Sequence, residues 1–321
     1  MKKTAMLAAL AAACALGGAA GAQAQDFPGK PVTILIPFPP GTGNDLVGRI
    51  VGNKLSEIIG QRVVAENRAG ASGNIAVDAT RRSSPDGYTM VVASTSFSLN
   101  LYTTKSNFTL NDFTPVALIG KLPYTLMVGK GVPAKNMKEL ADLLKSKPGQ
   151  LTAGQGGPTG STFFLLESFK RAAGFDVPVA VYKGTIDGVQ DLLADRTQMM
   201  FAPMVTSLPQ YRENRIQLHG VTGSKRSVLM PNVPTFTEQG LPTLDIPTWF
   251  GFLGPAGIPR GPVKLLSDGV AKALTSKDVI DALMNQGVEP GFAAQADFDA
   301  FLKADTAMWA RLVKESGVKP Q

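Results

Sequence analysis

Residues 32–60 read VTILI-PFPPGTGND-LVGRIVGNKLSEIIG, and the change of grammar along them decides the fold class. Val32 to Ile36 is an unbroken aliphatic and β-branched run, the pattern of a strand covered on both faces. Pro37, Pro39, Pro40, Gly41 and Gly43 then break it. Beyond them Leu46, Val47, Ile50, Val51, Leu55, Ile58 and Ile59 recur at helical spacing. A helix from about Asn44 to Ile59 is predicted, capped by Asn44 or Asp45 and stopped by Gly60. The first N–H groups of a helix have no partner within it and carry the positive end of its dipole. Such a loop therefore receives an anion without needing a cationic side chain.

The same unit recurs. Arg62 to Ala65 reads as a strand, Gly70-Ala71-Ser72-Gly73 as a Gly-rich turn before a helix, and Met90 to Ala93 as a strand opening onto Ser94-Thr95-Ser96. Beyond Pro115 the pattern starts afresh, with strands at Val116 to Ile119 and Tyr124 to Val128 and a helix at Met137 to Ser146. A strand at Leu151 to Ala153 feeds a second Gly-rich loop, Gly154 to Gly160, and a helix at Ser161 to Ala173. Val179 to Tyr182, Met199 to Phe201 and Gln217 to Thr222 read as further strands, and Trp249 to Leu253 as the return to the first half. A helix from about Ala296 to Glu315 closes the chain. This alternation is the α/β class. The expected division is lobe 1 at 25–124 plus 223–321 and lobe 2 at 125–222. Facing Gly-rich loops would line a cleft between the lobes, beyond the carboxyl ends of the strands.

Lys2 and Lys3, an apolar run from Ala5 to Leu16 and the small residues ending in Ala22-Gln23-Ala24 form a secretory signal, with cleavage expected after Ala24. Cys14 is the only cysteine and lies inside that segment, so disulfides, thiolate metal sites and cysteine nucleophiles are excluded from the rest of the chain. The formal charge of +7 includes Lys2 and Lys3. Basic residues are scattered, and no nucleic-acid stripe is present.

The chemistry-bearing candidates are hydroxyls and backbone. Thr42, Ser94, Thr95, Ser96, Thr159, Ser161, Thr162 and Thr185 supply neutral donors beside the two loops. Lys183 ends a strand in Val181-Tyr182-Lys183-Gly184-Thr185 and is a candidate for the cleft or for solvent. Leu46 stands where a dinucleotide fingerprint needs its third glycine, and Gly70 to Gly73 falls one residue short of a nucleophile elbow. His219 is the only histidine, too few for a multi-histidine metal site. Trp249, Phe250 and Phe252 are expected in the core.

Taken together, PFPPGTGND, VVAENRAGASGNIA, SPDGYTMVVAS, FTPVALIG, VYKGTIDGVQDLL, VPTFTEQGLP and WFGFLGPAGIP resemble the substrate-binding receptors of tripartite tricarboxylate transporters, also called the Bug family. These stretches run in family order over nearly the whole chain beyond residue 24. The resemblance implies two α/β lobes closing on ligand like a flytrap. It implies a periplasmic receptor that grips a carboxylate through loop backbone, hydroxyls and ordered water, then delivers it to membrane subunits. Position by position, it places the first ligand loop at Pro40, Gly41, Thr42, Gly43, Asn44 and Asp45. It places the opposing loop at Gly160, Ser161 and Thr162, with Lys183, Gly184 and Thr185 nearby. Ser94 and Thr95 join this set as hydroxyl donors. Two departures stand out. The family often has histidine where this chain has Phe163, and Asp or Asn where it has Ala202-Pro203, so a more apolar pocket is expected.

The expected function is non-catalytic capture of a small organic acid by a monomer, with no cofactor, metal or nucleic-acid partner. A receptor signalling to a membrane kinase and a secreted hydrolase are the alternatives. Without thiolate or clustered imidazole ligands, binding of an organic acid is expected to be unchanged by EDTA. Titration calorimetry with and without the chelator checks this, and loss of binding restored by a divalent ion would contradict it.

Overall fold

A computed structural model describes residues 27–157, 160–246 and 248–319. The signal segment with Cys14, and Thr159 of the second loop, lie outside the described residues. In chain order the first elements are β1 (Val32–Ile36), α1 (Gly43–Ile59), β2 (Val63–Asn67), α2 (Asn74–Arg81), β3 (Thr89–Ser94), α3 (Thr95–Thr103) and β4 (Phe113–Leu122). Next come β5 (Tyr124–Gly129), α4 (Met137–Ser146), β6 (Ala153–Gly156), α5 (Ser161–Ala173), β7 (Val179–Tyr182), α6 (Thr185–Leu193), β8 (Met199–Pro203), α7 (Met204–Arg212) and β9 (Ile216–Val221). The chain ends with β10 (Thr248–Pro255), α8 (Arg260–Ala273), α9 (Lys277–Asn285), β11 (Glu289–Ala294) and α10 (Gln295–Ser316).

These strands make two sheets. One has six strands in the order β11-β4-β10-β3-β1-β2, the other five in the order β7-β6-β8-β5-β9. β1 runs parallel to β2 and β3, and β6 parallel to β7 and β8. Helices cover both faces, which is why β1 and β3 need no polar alternation: nearly every residue of both is buried. The chain leaves the first sheet through Pro123, between β4 and β5, and returns at β10. The two crossings lie side by side, because Thr248 pairs with Leu122 in the antiparallel β10–β4 ladder.

Several expectations are corrected. Neither Asn44 nor Asp45 caps α1. Thr42 is the cap residue, with an extended backbone and no side-chain cap bond, while Gly60 ends the helix in the left-handed region at φ 66° as expected. Gly154 and Gly156 belong to β6, so the second loop is shorter than read. The helices α3 and α7 and the edge strand β11 went unrecognised. TSFSLNLYT in α3 is poor in helix formers, and α7 carries Pro209 inside it. Of the segment after 223, Met230, Val233, Phe236, Leu244 and Ile246 pack into clusters with second-sheet residues. Trp249, Phe250 and Phe252 are core residues.

The helix α10 spans both halves. Its Phe298 and Leu302 pack under the first sheet, while Trp309 meets Phe164 of α5 edge-on at 5.3 Å. Truncating the fully buried Trp309 would cost about 3–5 kcal/mol. Between these contacts Asp305, 7% exposed, accepts a hydrogen bond from Trp249 Nε1 at 2.8 Å. Burial raises its pKa to about 6, and nearby Ser98, Trp249, Trp309 and Lys121 offset only part of that. Ser98 Oγ and Trp309 Nε1 act by proximity, since neither makes a hydrogen bond of ordinary geometry. In β9, burial lowers the pKa of His219 to about 4.

The two groups pull in opposite directions. The folded state holds the Asp305 proton more tightly than the unfolded chain does, so this carboxyl withdraws stability as pH rises through the window from 4 to 6. His219 binds its proton more weakly when folded, so it withdraws stability as pH falls from 6.5 to 4. Each effect is on the order of 3 kcal/mol. The Asp305→Asn variant should therefore gain stability steeply from pH 4.5 to 6.5, and His219→Gln should lose it. Wild type should fall between them, as read by urea unfolding at both pH values.

Candidate functional site

Where the first sheet faces the second across the two crossings, a cleft of about 420 Å³ opens. Three helices begin on its wall among the described residues: α1 through Thr42 and Asn44, α3 through Ser94 and Thr95, and α5 through Gly160 and Ser161. None of the three is capped by the side chain of its own cap residue. Their dipoles and first-turn N–H groups therefore converge on one space, from both halves of the molecule. No charged side chain lines that space among the described residues. Two other depressions of similar size, near Lys272 and near Arg212, bring no such helix starts together.

The first loop is held by Asp45, which points away from the cleft. Its carboxylate accepts from Gly41 N at 2.9 Å, from Asn67 Nδ2 at 2.8 Å and from Arg49 Nε at 2.8 Å. Burial pushes this carboxyl up, but the Gly41, Asn67 and Arg49 donors together outweigh it and hold the pKa below the ordinary value. Gly41 takes φ 83°, a conformation that disfavours any side chain, and this allows its N–H to turn back onto Asp45. Thr42 Oγ1 donates to Pro39 O at 2.8 Å, closing the same turn. A Cβ at Gly43 would stand 3.3 Å from Phe250 Cζ, so this glycine allows the helix start to lie against the sheet core.

The cleft floor comes from the crossings. Tyr124 opens β5 and Thr248 opens β10; Thr248 Oγ1 donates to the Tyr124 phenol oxygen at 3.1 Å. The neighbouring Trp249 N donates to Thr95 Oγ1 at 3.1 Å, joining the return crossing to the start of α3. Ser94 and Ser96 pair through their hydroxyls at 3.0 Å. Asn44 is committed to Val92 O at 3.0 Å and Asn100 to Ser72 O at 2.8 Å, so both amides brace the wall.

A family model described as the tripartite tricarboxylate transporter family receptor matches residues 47–318. The chain belongs to this family. BugT of Bordetella pertussis is 31% identical over 324 residues, covering 99% of each chain. The R. palustris protein Rpa4515, solved with adipate, superposes with a TM-score of 0.75 at 29% identity, over 92% of this chain and 100% of that one. MatC from Rhodopseudomonas palustris, solved with bound malate, gives 0.71 at 26% identity, over 89% of this chain and 100% of that one. Members are solute-binding receptors of the periplasmic type, and the two-sheet α/β architecture is theirs.

Of the residues expected at a ligand site, Thr42, Asn44, Ser94, Thr95, Gly160 and Ser161 line the cleft. Pro40, Gly41, Gly43 and Asp45 shape the loop behind it, and Thr162 is buried in α5. Lys183, Gly184 and Thr185 do not line it: Lys183 is exposed at the start of α6, and Thr185 packs on Gly156 of β6. The two positions behind the expectation of a more apolar pocket lie elsewhere. Phe163 packs against Phe164 and the core, Ala202 is fully buried in β8, and neither lines the cleft, where most lining residues carry a hydroxyl or an amide. His219 is likewise buried in β9 and away from the cleft.

Phe38, Ser72, Leu99, Asn100, Tyr124 and Thr248 line the cleft but were missed by the sequence reading. Ser72 had a signal, because its turn repeats the strand, glycine, helix pattern of the two loops. Tyr124 and Thr248 had none, being strand residues that meet through tertiary packing. Lys183→Met is expected to leave affinity for any bound acid within about twofold. Ser161→Ala should weaken it about fivefold if one neutral hydrogen bond is lost. Calorimetry on both variants, with matched unfolding midpoints, checks the pair.

Proposed function

We propose that this receptor captures a small organic acid in the cleft between its halves and presents it to the membrane subunits of a tripartite transporter. The observation that carries this reading is the convergence of three helix N-termini on a space that no charged side chain lines among the described residues. Such a wall favours a carboxylate and offers an ammonium group no counter-charge. The adipate and malate held by its relatives belong to the same ligand class.

The two lobes are read as 25–124 plus 223–321 and 125–222, except that the stretch holding Met230, Val233, Phe236, Leu244 and Ile246 packs with the second sheet and is read with lobe 2; they move about the crossings at Pro123 and before Thr248. Ligand-bearing loops are Pro40 to Asp45, Ser94-Thr95 and Gly160 to Thr162. The protein acts as a monomer, without catalysis, in the periplasm after cleavage at Ala24. No described helix is long and apolar enough to cross a membrane.

A thermal-shift panel of mono-, di- and hydroxycarboxylates, amino acids and inorganic phosphate tests the ligand class. An acid present at 100 times its Kd should add about 2.7 kcal/mol of stability. At least one simple dicarboxylate or hydroxy acid should raise the midpoint, and succinate should do so more than aspartate. A panel in which only amino acids or phosphate stabilise the protein would overturn the reading.

A further inference from the structure

The Tyr124 hydroxyl joins the two crossings through Thr248, and that bond uses only its acceptor side. The backbone N–H of Tyr124 is bound to Thr222 Oγ1 at 2.9 Å, and its ring packs on the second-sheet core. Its oxygen accepts the proton of Thr248 at 3.1 Å. Because that bond fills an acceptor site, the phenol's own proton is left to be donated, and no described residue accepts it. The side chain is half-buried and lines the cleft, so the acceptor it faces there is ligand or water.

Tyr124 also differs from the other cleft donors in where it stands. Helices α1 and α3 belong to one half and α5 to the other, so their donors move apart when the halves separate. Tyr124 and Thr248 sit on the two crossings, one residue from Pro123 and paired beside the β10–β4 ladder. They therefore keep their positions relative to each other in either arrangement. An ionised carboxylate has roughly four lone-pair sites. Three helix starts together with the hydroxyls of Ser161 and Tyr124, and the one proton that the Ser94–Ser96 pair leaves free, offer more donors than one such group absorbs. The surplus calls for a second oxygen acceptor on the ligand.

We propose that Tyr124, oriented by Thr248, is the specificity-determining residue of the cleft, donating its phenolic proton to a second oxygen acceptor on the bound acid. The ligand class it selects is the dicarboxylates and the hydroxy or oxo acids, over monocarboxylates of equal length. This rests on the organic-acid reading above. Thr248 is a positioning residue: it touches the phenol and sets the direction in which the proton is presented.

The test is calorimetry of wild type, Tyr124→Phe, Thr248→Val and Thr248→Ser with succinate and adipate, and with butyrate and hexanoate as length-matched monocarboxylates. Tyr124→Phe retains the ring and its packing, and its ligand-free unfolding midpoint should match wild type. It should lose about tenfold or more in affinity for the dicarboxylate that wild type binds best, and less than about twofold for the matched monocarboxylate. Thr248→Val should move in the same direction by a smaller factor, and Thr248→Ser should restore wild-type discrimination. If Tyr124→Phe binds both acids as wild type does, or weakens both equally, the assignment to Tyr124 is overturned while the organic-acid reading stands. If wild type binds none of the four and no hydroxy or oxo acid of the thermal-shift panel, both fall together.

Discussion

The peptide N–H groups at the start of a helix have no partner within that helix, and this structure places three sets of them around one space. Elsewhere a side-chain cap removes the deficit: Asn136 accepts from Glu139 N at the start of α4, for instance. At α1, α3 and α5 no such cap forms, and the hydroxyls around them are small and neutral. The electrostatic character of the cleft is therefore a property of backbone. Asp45, in the first turn of α1 behind the cleft, spends its charge on Gly41, Asn67 and Arg49. A carboxylate directed into the cleft would repel the ligand; this one shapes the loop from behind.

The second dependence is on the crossings. Because β5 and β10 leave and re-enter the first sheet side by side, Tyr124 and Thr248 meet at the floor of the cleft. Trp249 then passes behind it to Asp305. The helix α10, whose two ends pack against different halves, ties this line to α5 through Trp309 and Phe164. Asp305 is a partly desolvated carboxyl at the centre of that contact. Its ionisation weakens the fold as pH rises through the same range in which protonation of His219 weakens it as pH falls, and the opposed slopes keep the summed pH dependence of these two groups small.

Much of the fold was legible because its signals are local. The aliphatic run of β1, the heptad-like spacing of α1, and MKELADLLKS in α4 with its Asn136 cap each carry their own period and boundary. α3 was not legible: Thr95, Ser96, Ser98, Asn100 and Thr103 are weak helix formers, and the segment is helical because Phe97 and Leu99 are buried by the tertiary structure. The glycines of β6 read as a loop for a similar reason. Gly154 and Gly156 have little strand propensity of their own, and their pairing with β7 and β8 overrides it. Lys183 was open between cleft and solvent because a strand-end cation beside a glycine fits either place. The structure turns it to solvent, where its long side chain costs nothing to hydrate.

The sequence by itself determined the α/β class, the family, and the strand, glycine loop, helix units at Gly41 to Asp45 and, with the loop read too long, at Gly154 to Thr162. These follow from short-range pattern and from motifs in a fixed order. Tertiary structure alone decided that a third helix start joins them, that Lys183 and Thr185 do not, and that Tyr124 and Thr248 form the floor. The physical reason is separation along the chain: Tyr124 and Thr248 lie 124 residues apart, and no local period encodes a meeting made by two strands crossing between sheets.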